Sequence, residues 1–146
     1  MRILFAFFNL FISTAICAQA LRTPVSSAFQ LVNAYSKEHS DAFSFTYNNA
    51  ALARFKGFAA GAFAENRFLT DEINHYSSVV GVETDKGNFG FQANYFGFSD
   101  FNEYQLGLAY GRSLGENFDI GVQFNYYSYR IPSYPHYGTA TFQIGA

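Results

Sequence analysis

Few side chains in this sequence are of a kind that performs chemistry, and those few are scattered. The three histidines, His39, His75 and His136, lie in separate polar or loop segments. None has a second ligand at helical or strand spacing, which a metal site requires. Asp71 and Glu72 are adjacent in a polar connection. Calcium needs more oxygen ligands than that connection offers, so the pair reads as solvated surface. Serines are numerous, yet there is no Gly-x-Ser-x-Gly elbow to sharpen one into a nucleophile, and no glycine loop to cradle a phosphate. The expectation is a protein that is not an enzyme, with no catalytic, cofactor-binding or metal-binding residues and no cofactor.

The more suggestive chemistry is aromatic. Tyr126-Tyr127-Ser128-Tyr129-Arg130 and Tyr134-Pro135-His136-Tyr137 could stack on a sugar or a protein partner and offer phenolic hydrogen bonds. The simpler reading is a girdle of tyrosines at a membrane interface. Composition favours such a setting. Phenylalanine (19) and tyrosine (11) bring the aromatic fraction to 21%, while only 14% of residues are charged, against about 25% in average soluble domains. A net charge of −2 gives no basic footprint, so no nucleic-acid partner is expected.

Residues 1–20 have the order of a secretory signal peptide: Arg2, an apolar run from Ile3, then Ala18-Gln19-Ala20. Cleavage is expected after Ala18 or Ala20. The apolar run is about sixteen residues, short of the ~20 needed for a spanning helix. Cys17, the only cysteine, lies inside this segment and follows a poor lipobox. The mature chain therefore has no disulfide and no thiol chemistry. After residue 21 no apolar stretch is long enough for a membrane helix. A mature chain that enters a membrane must do so as strands.

The elements that would position any site repeat with period two. Phe118, Ile120, Val122, Phe124 and Tyr126 alternate with Asp119, Gly121, Gln123 and Asn125. Tyr104–Gly111 and Asn88–Tyr95 do the same. Tyr76–Thr84 is fainter, Phe55–Ala64 is rich in alanine and glycine, and Thr139–Ala146 begins a sixth run. Tight turns are expected at Asp85–Asn88 and Leu114–Asn117, with longer links at 66–75, 99–103 and 131–136. In Tyr104–Tyr110 and Phe118–Tyr126 aliphatic residues hold the middle of the apolar face and aromatics the ends, which is how lipid-facing strands are arranged. The opposite faces carry Gly, Gln, Asn and Ala, suited to a packed polar lumen.

Ser40 to Ala53 reads SDAFSFTYNNAALA. This resembles the N-terminal motif of FadL-like outer-membrane proteins, especially the PorV/PorQ-type family of Bacteroidetes, with an aspartate–alanine pair, a serine, and Asn-Pro-Ala-x-Leu-Ala before the first strand. Asp41, Ala42, Ser44, Asn48, Ala50, Leu52 and Ala53 fall on matching positions, whereas Asn49 replaces the proline and the preceding glycine-rich stretch is missing. Leu108–Leu114 followed by Phe118–Val122 is similar to a hairpin of that family. The resemblance covers residues 40–126. It implies a FadL-like barrel with an N-terminal hatch, acting in transport of hydrophobic compounds or as an accessory of type IX protein secretion. Read from the residues alone, 48–53 is a capped helical turn leading into the first strand.

The expected class is therefore all-β: an antiparallel up-and-down meander of about 5–6 strands, part of a transmembrane β-barrel. Residues 1–20 would be the signal peptide, 21–54 a periplasmic or hatch segment with a short helical element, and 55–146 the meander. Single-chain barrels start at about eight strands, so the meander is expected to be part of a larger barrel. The expected location is the outer membrane of a Gram-negative bacterium. Expected partners are outer-membrane lipid, a secretion-system or surface protein, and a hydrophobic ligand. The competing reading is a secreted soluble β-sheet module that binds carbohydrate or protein through the tyrosine-rich loop.

Overall fold

Alternation of small or polar residues with aromatic and aliphatic ones favours extended pleated chains, and the turn residues between runs fold each strand back on the last. A computed structural model describes residues 41–66, 74–98 and 100–146. It contains six strands: β1 (Phe58–Asn66), β2 (Asn74–Val82), β3 (Asn88–Gly97), β4 (Asn102–Ser113), β5 (Asp119–Arg130) and β6 (Tyr137–Gly145). They form one open antiparallel sheet in sequence order, β1 to β6. Two 3-10 turns precede it, η1 (Ser44–Thr46) and η2 (Asn49–Arg54). The signal-peptide expectation, and residues 21–40 of the N-terminal segment, lie outside the described residues, as do His39 and the Asp71–Glu72 pair.

The meander is as expected in order and direction, and the boundaries differ in instructive ways. β1 begins at Phe58 rather than Phe55, because Gly57 adopts φ 74° and turns the chain out of η2. β4 begins at Asn102, so Asn102 and Glu103 belong to a strand where a loop was expected. β2 likewise takes in Asn74 and His75. The connection 98–101 is consequently no longer than the turns 83–87 and 114–118 at the opposite end, and the expected alternation in loop length is weak. Polar residues at a strand end read as loop in sequence, but here the His75 and Glu103 side chains continue the buried face.

We call the end with turns 83–87 and 114–118 the near end and the other the far end. η1 and η2 lie across one face of the sheet at the near end, with η2 in contact with β3, β4, β5 and β6. Asn48 caps η2, its Oδ1 accepting from Ala50 N at 3.0 Å. This satisfies one of the donors that a helix start leaves open. The covered face has two adjacent rows with little or no side chain. Register pairs Gly81 with Gly90 and then Ala109, and pairs Gly111 with Gly121 and then Gly145. A Cβ on Gly111 would lie 2.6 Å from Leu52 Cβ, one on Gly90 would lie 2.9 Å from Leu52 Cδ1, and one on Gly121 would run into the Asn49 carbonyl.

The apolar core of the described residues forms at this contact: Phe45, Leu52 and Phe55 from the 3-10 region meet Val79 and Ala109 of the sheet. Filling the glycine rows should therefore push η2 away. We expect Gly121→Val to destabilise the fold by about 1–3 kcal/mol, the usual cost of overpacking. Ala140→Val on the exposed face should change it by less than about 0.5 kcal/mol. Denaturant unfolding midpoints of the two variants check this.

Candidate functional site

A sheet in water buries its apolar face and wets its polar one. Here the assignment is reversed. Along β4, Gln105, Gly107 and Ala109 are buried, whereas Tyr104, Leu106 and Leu108 are exposed; Leu108 is 63% exposed. β5 repeats this, with Gln123, Asn125 and Tyr127 buried and Val122, Phe124 and Tyr126 exposed. We call the buried face inner and the other outer.

Inner-face residues align in rows across the sheet. Beyond the glycine rows lies Gly61–Val79–Gln92–Gly107–Asn125–Thr141, then Phe63–Ser77–Asn94–Gln105–Tyr127–Thr139, then Glu65–His75–Phe96–Glu103–Tyr129–Tyr137 at the far end. Gln92 and Gln123 are each 1% exposed and Asn125 is 0% exposed. Their amides bond to one another. Gln123 Nε2 donates to Gln92 Oε1 at 3.1 Å and to Asn125 Oδ1 at 2.6 Å. Gln105 Nε2 also donates to Asn125 Oδ1, at 2.9 Å, and Asn94 Nδ2 donates to Gln105 Oε1 at 2.9 Å. A Cβ on Gly107 would lie 2.6 Å from Gln123 Nε2, so this glycine makes room for the amide cluster. Buried amides are tolerable when hydrogen-bonded and costly when not.

At the near end polar groups fasten the 3-10 segment. Asn88 Nδ2 donates to Leu52 O at 2.6 Å and to Phe55 O at 2.8 Å. Arg54 pairs with Asp119, Nε to Oδ2 at 2.5 Å, and its Nη2 donates to Glu116 O at 2.7 Å. Ser113 Oγ donates to Asp119 Oδ1 at 2.7 Å and so fixes the carboxylate from its other side.

The outer face carries aromatics over most of its depth. At the far end Tyr76, Tyr95 and Tyr104 are register neighbours, with ring centroids 6.1 Å and 4.9 Å apart. Towards the near end Phe89 and Tyr110 pair at 5.2 Å, and Tyr110 OH donates to Lys86 O at 2.6 Å. Between them lies the row Val80–Phe91–Leu108–Phe124–Phe142, in which the Phe124 and Phe142 rings meet at 5.1 Å, and beside it Leu106 is paired with Tyr126.

The tyrosine patch read as one surface in the sequence is divided between the faces. Tyr126 points outward, whereas Tyr127 and Tyr129 point inward and stack at 6.4 Å with an interplanar angle of 14°. Tyr134 and His136 lie in the exposed connection 131–136. His75 packs edge-on to Phe96 at 5.9 Å on the inner face, buried rather than in a loop. The inner-face residues that sequence reading passed over are His75 and Glu103. Their alternation with exposed Tyr76 and Tyr104 was the available signal, since a buried strand end continues the period of two.

Among the described residues no group of three His, Cys, Asp or Glu side chains is placed to hold a metal ion. Amides neither donate nor take protons readily, so the inner face is equipped to bind and orient hydroxyls, amides or water. Comparison of the chain with family models, with curated proteins and with solved structures finds no match. Asn88 is the inner-face amide with the clearest structural duty. Asn88→Leu should cost about 1–3 kcal/mol by removing the donor to Phe55 O and leaving Leu52 O with only its bond from Phe55 N. Limited proteolysis would then cut within residues 41–57 faster than in the parent.

Proposed function

We propose that this chain forms part of the wall of an outer-membrane β-barrel of the FadL-like kind, with residues 41–55 as its hatch. The carrying observation is the reversed sheet: buried amides on one face, exposed leucine, phenylalanine and tyrosine on the other. An apolar face of this extent is costly in water and stable against lipid. Strands of nine to twelve residues match the ~9–11 residues a tilted strand needs to cross a bilayer. Along β4 the outer face runs Tyr104, Leu106, Leu108, Tyr110, with phenols at the ends and aliphatics between, which is what two membrane interfaces select. Among the described residues no helix is long and apolar enough to cross, so the spanning argument rests on strands.

The resemblance in residues 40–53 gains physical sense from the fold. Asn49 is the first residue of η2, the position where proline is most at home in a helix. The Asn48 cap holds the turn without it. In this reading the near end faces the periplasm, and the lipid of the outer membrane is the partner of the outer face.

Of the two roles the resemblance implies, accessory to type IX secretion at the cell surface is the better fit. A hydrophobic solute moving along the inner face would displace hydrogen bonds among buried amides, each costing about 1–3 kcal/mol. The far-end loops and strand ends would then meet a secretion-system or surface protein.

A charge on the outer face distinguishes a barrel from a secreted soluble module. Leu108→Arg should cost about 2–4 kcal/mol in a membrane-embedded strand. On a soluble protein an exposed leucine tolerates the change within about 0.5 kcal/mol. Cell fractionation gives the second readout: the wild-type chain should need detergent for extraction, and recovery in soluble periplasm or medium would contradict the reading.

A further inference from the structure

We propose that the near end of the outer face binds one glycerophospholipid in a fixed pose, with its phosphate on Arg112 and Lys86 and an acyl chain in the trough beside Tyr110. This deepens the barrel reading and rests on it for the leaflet, which is then the periplasmic one. Two independent features meet there. The first is an open trough with room for a chain. It is a cleft of about 380 Å³ on the outer face, walled by Val80, Phe89, Leu108, Tyr110, Val122 and Phe124. Ligand clefts generally span ~300–1,000 Å³. Phe89 is 53% exposed, so no described residue closes the trough over. Apart from the Tyr110 phenol, these walls offer no side-chain hydrogen bond, and a hydrocarbon chain asks for none.

The second feature is cationic. The period of two along β4 carries the outer face from Leu108 through Tyr110 to Arg112, which pairs in register with Ile120 of β5. Two residues of strand advance the chain by ~7 Å, so Arg112 stands at the near-end mouth of the trough. Tyr110 OH donates to Lys86 O and holds the turn 83–87 against the same mouth. Arg112 and Lys86 are both exposed. Among the described residues neither side chain has an ion pair or hydrogen bond. Two near-end carboxylates are engaged elsewhere: Asp119 by Arg54 and Ser113, and Glu83 by Gly57 N. Asp85 and Glu116 lie in the exposed turns, which leaves Arg112, on the strand itself, as the charge next to the trough. A phosphate matches such a guanidinium, whose planar fork binds it through two parallel hydrogen bonds. In a bilayer the phosphate stands at the interface, the level at which tyrosines such as Tyr110 gather.

The test uses the full chain, extracted from membranes in dodecyl maltoside, stripped of lipid and titrated with dioleoylphosphatidylglycerol under native mass spectrometry. One saturable lipid adduct is expected, with dioleoylglycerol, which lacks the phosphate, binding roughly tenfold more weakly or worse. Arg112→Gln should weaken the phospholipid adduct by a similar factor and Lys86→Gln by less. Val122→Trp, which fills the trough and leaves the cations in place, should weaken it too. Lys56→Gln removes the same charge from an exposed near-end position outside the trough and should change nothing. Circular dichroism identifies any variant that fails to fold, and the remaining variants then decide. Equal binding of dioleoylglycerol and the phospholipid, or equal losses in Lys56→Gln and Arg112→Gln, would overturn the proposal while leaving the barrel standing. Palmitate binding as tightly as the phospholipid would overturn it as well. Recovery of the chain without detergent would defeat the barrel reading alone, and a saturable phospholipid adduct on that soluble chain would still support the site.

Discussion

The descent of residues 48–55 onto the sheet is the contact on which the rest of the arrangement depends. It is made possible by missing atoms. Gly111, Gly121 and Gly145 let η2 backbone approach strand backbone, and Gly81 and Gly90 leave room for the Phe55, Leu52 and Phe45 side chains. Leu52 and Phe55 then reach the sheet and form the apolar core of the described residues with Phe45, Val79 and Ala109. Glycine weakens a strand by roughly 0.5–1 kcal/mol relative to alanine, so a group of them is an expense that the burial of η2 offsets. The polar fasteners follow from the same approach. Once η2 lies on the sheet, its terminal carbonyls must find donors, and Asn88 and Arg54 with Asp119 supply the bonds around them.

Seating this segment also accounts for the layering of the inner face. Near the turns the face is glycine and apolar contact. Beyond it, where η2 no longer covers the sheet, amides bond laterally across β3, β4 and β5. Farthest out come ionisable and aromatic side chains. The outer face has no such gradient of polarity, and aromatic and aliphatic side chains are mixed along it. The two faces thus answer to different surroundings, and each strand serves both through its period of two.

Much of this is legible in the sequence, because alternation is a local property. The strand order, the turns after Val82 and Ser113, and the outward set Tyr104, Leu106, Leu108 and Tyr110 follow from spacing alone. The capped turn at Asn48 is equally local. What is not legible is anything set by register between strands. Gly81, Gly90, Gly111 and Gly121 look like unrelated bends until pairing places them side by side, and the amide cluster of Gln92, Gln105, Gln123 and Asn125 draws on three strands. His75 and Glu103 are missed for a different reason. A charged or titratable residue beside a loop reads as solvated, and only the buried face reveals that the strand continues through it. The tyrosines of 126–129 were read as one patch because adjacency in sequence is separation in a strand.

The central claim is that the outer face contacts lipid while the inner face does not. Single cysteines carrying a nitroxide, introduced at successive positions from Tyr104 to Tyr110 in the membrane-inserted chain, test it most directly. The account predicts that collision with dissolved oxygen, which concentrates in hydrocarbon, rises and falls with a period of two. Labels at 106 and 108 should give the highest oxygen accessibility and little contact with a water-soluble nickel reagent, and labels at 105 and 107 should show low values for oxygen. High nickel-reagent accessibility at 106 and 108 would place that face in water and contradict the account.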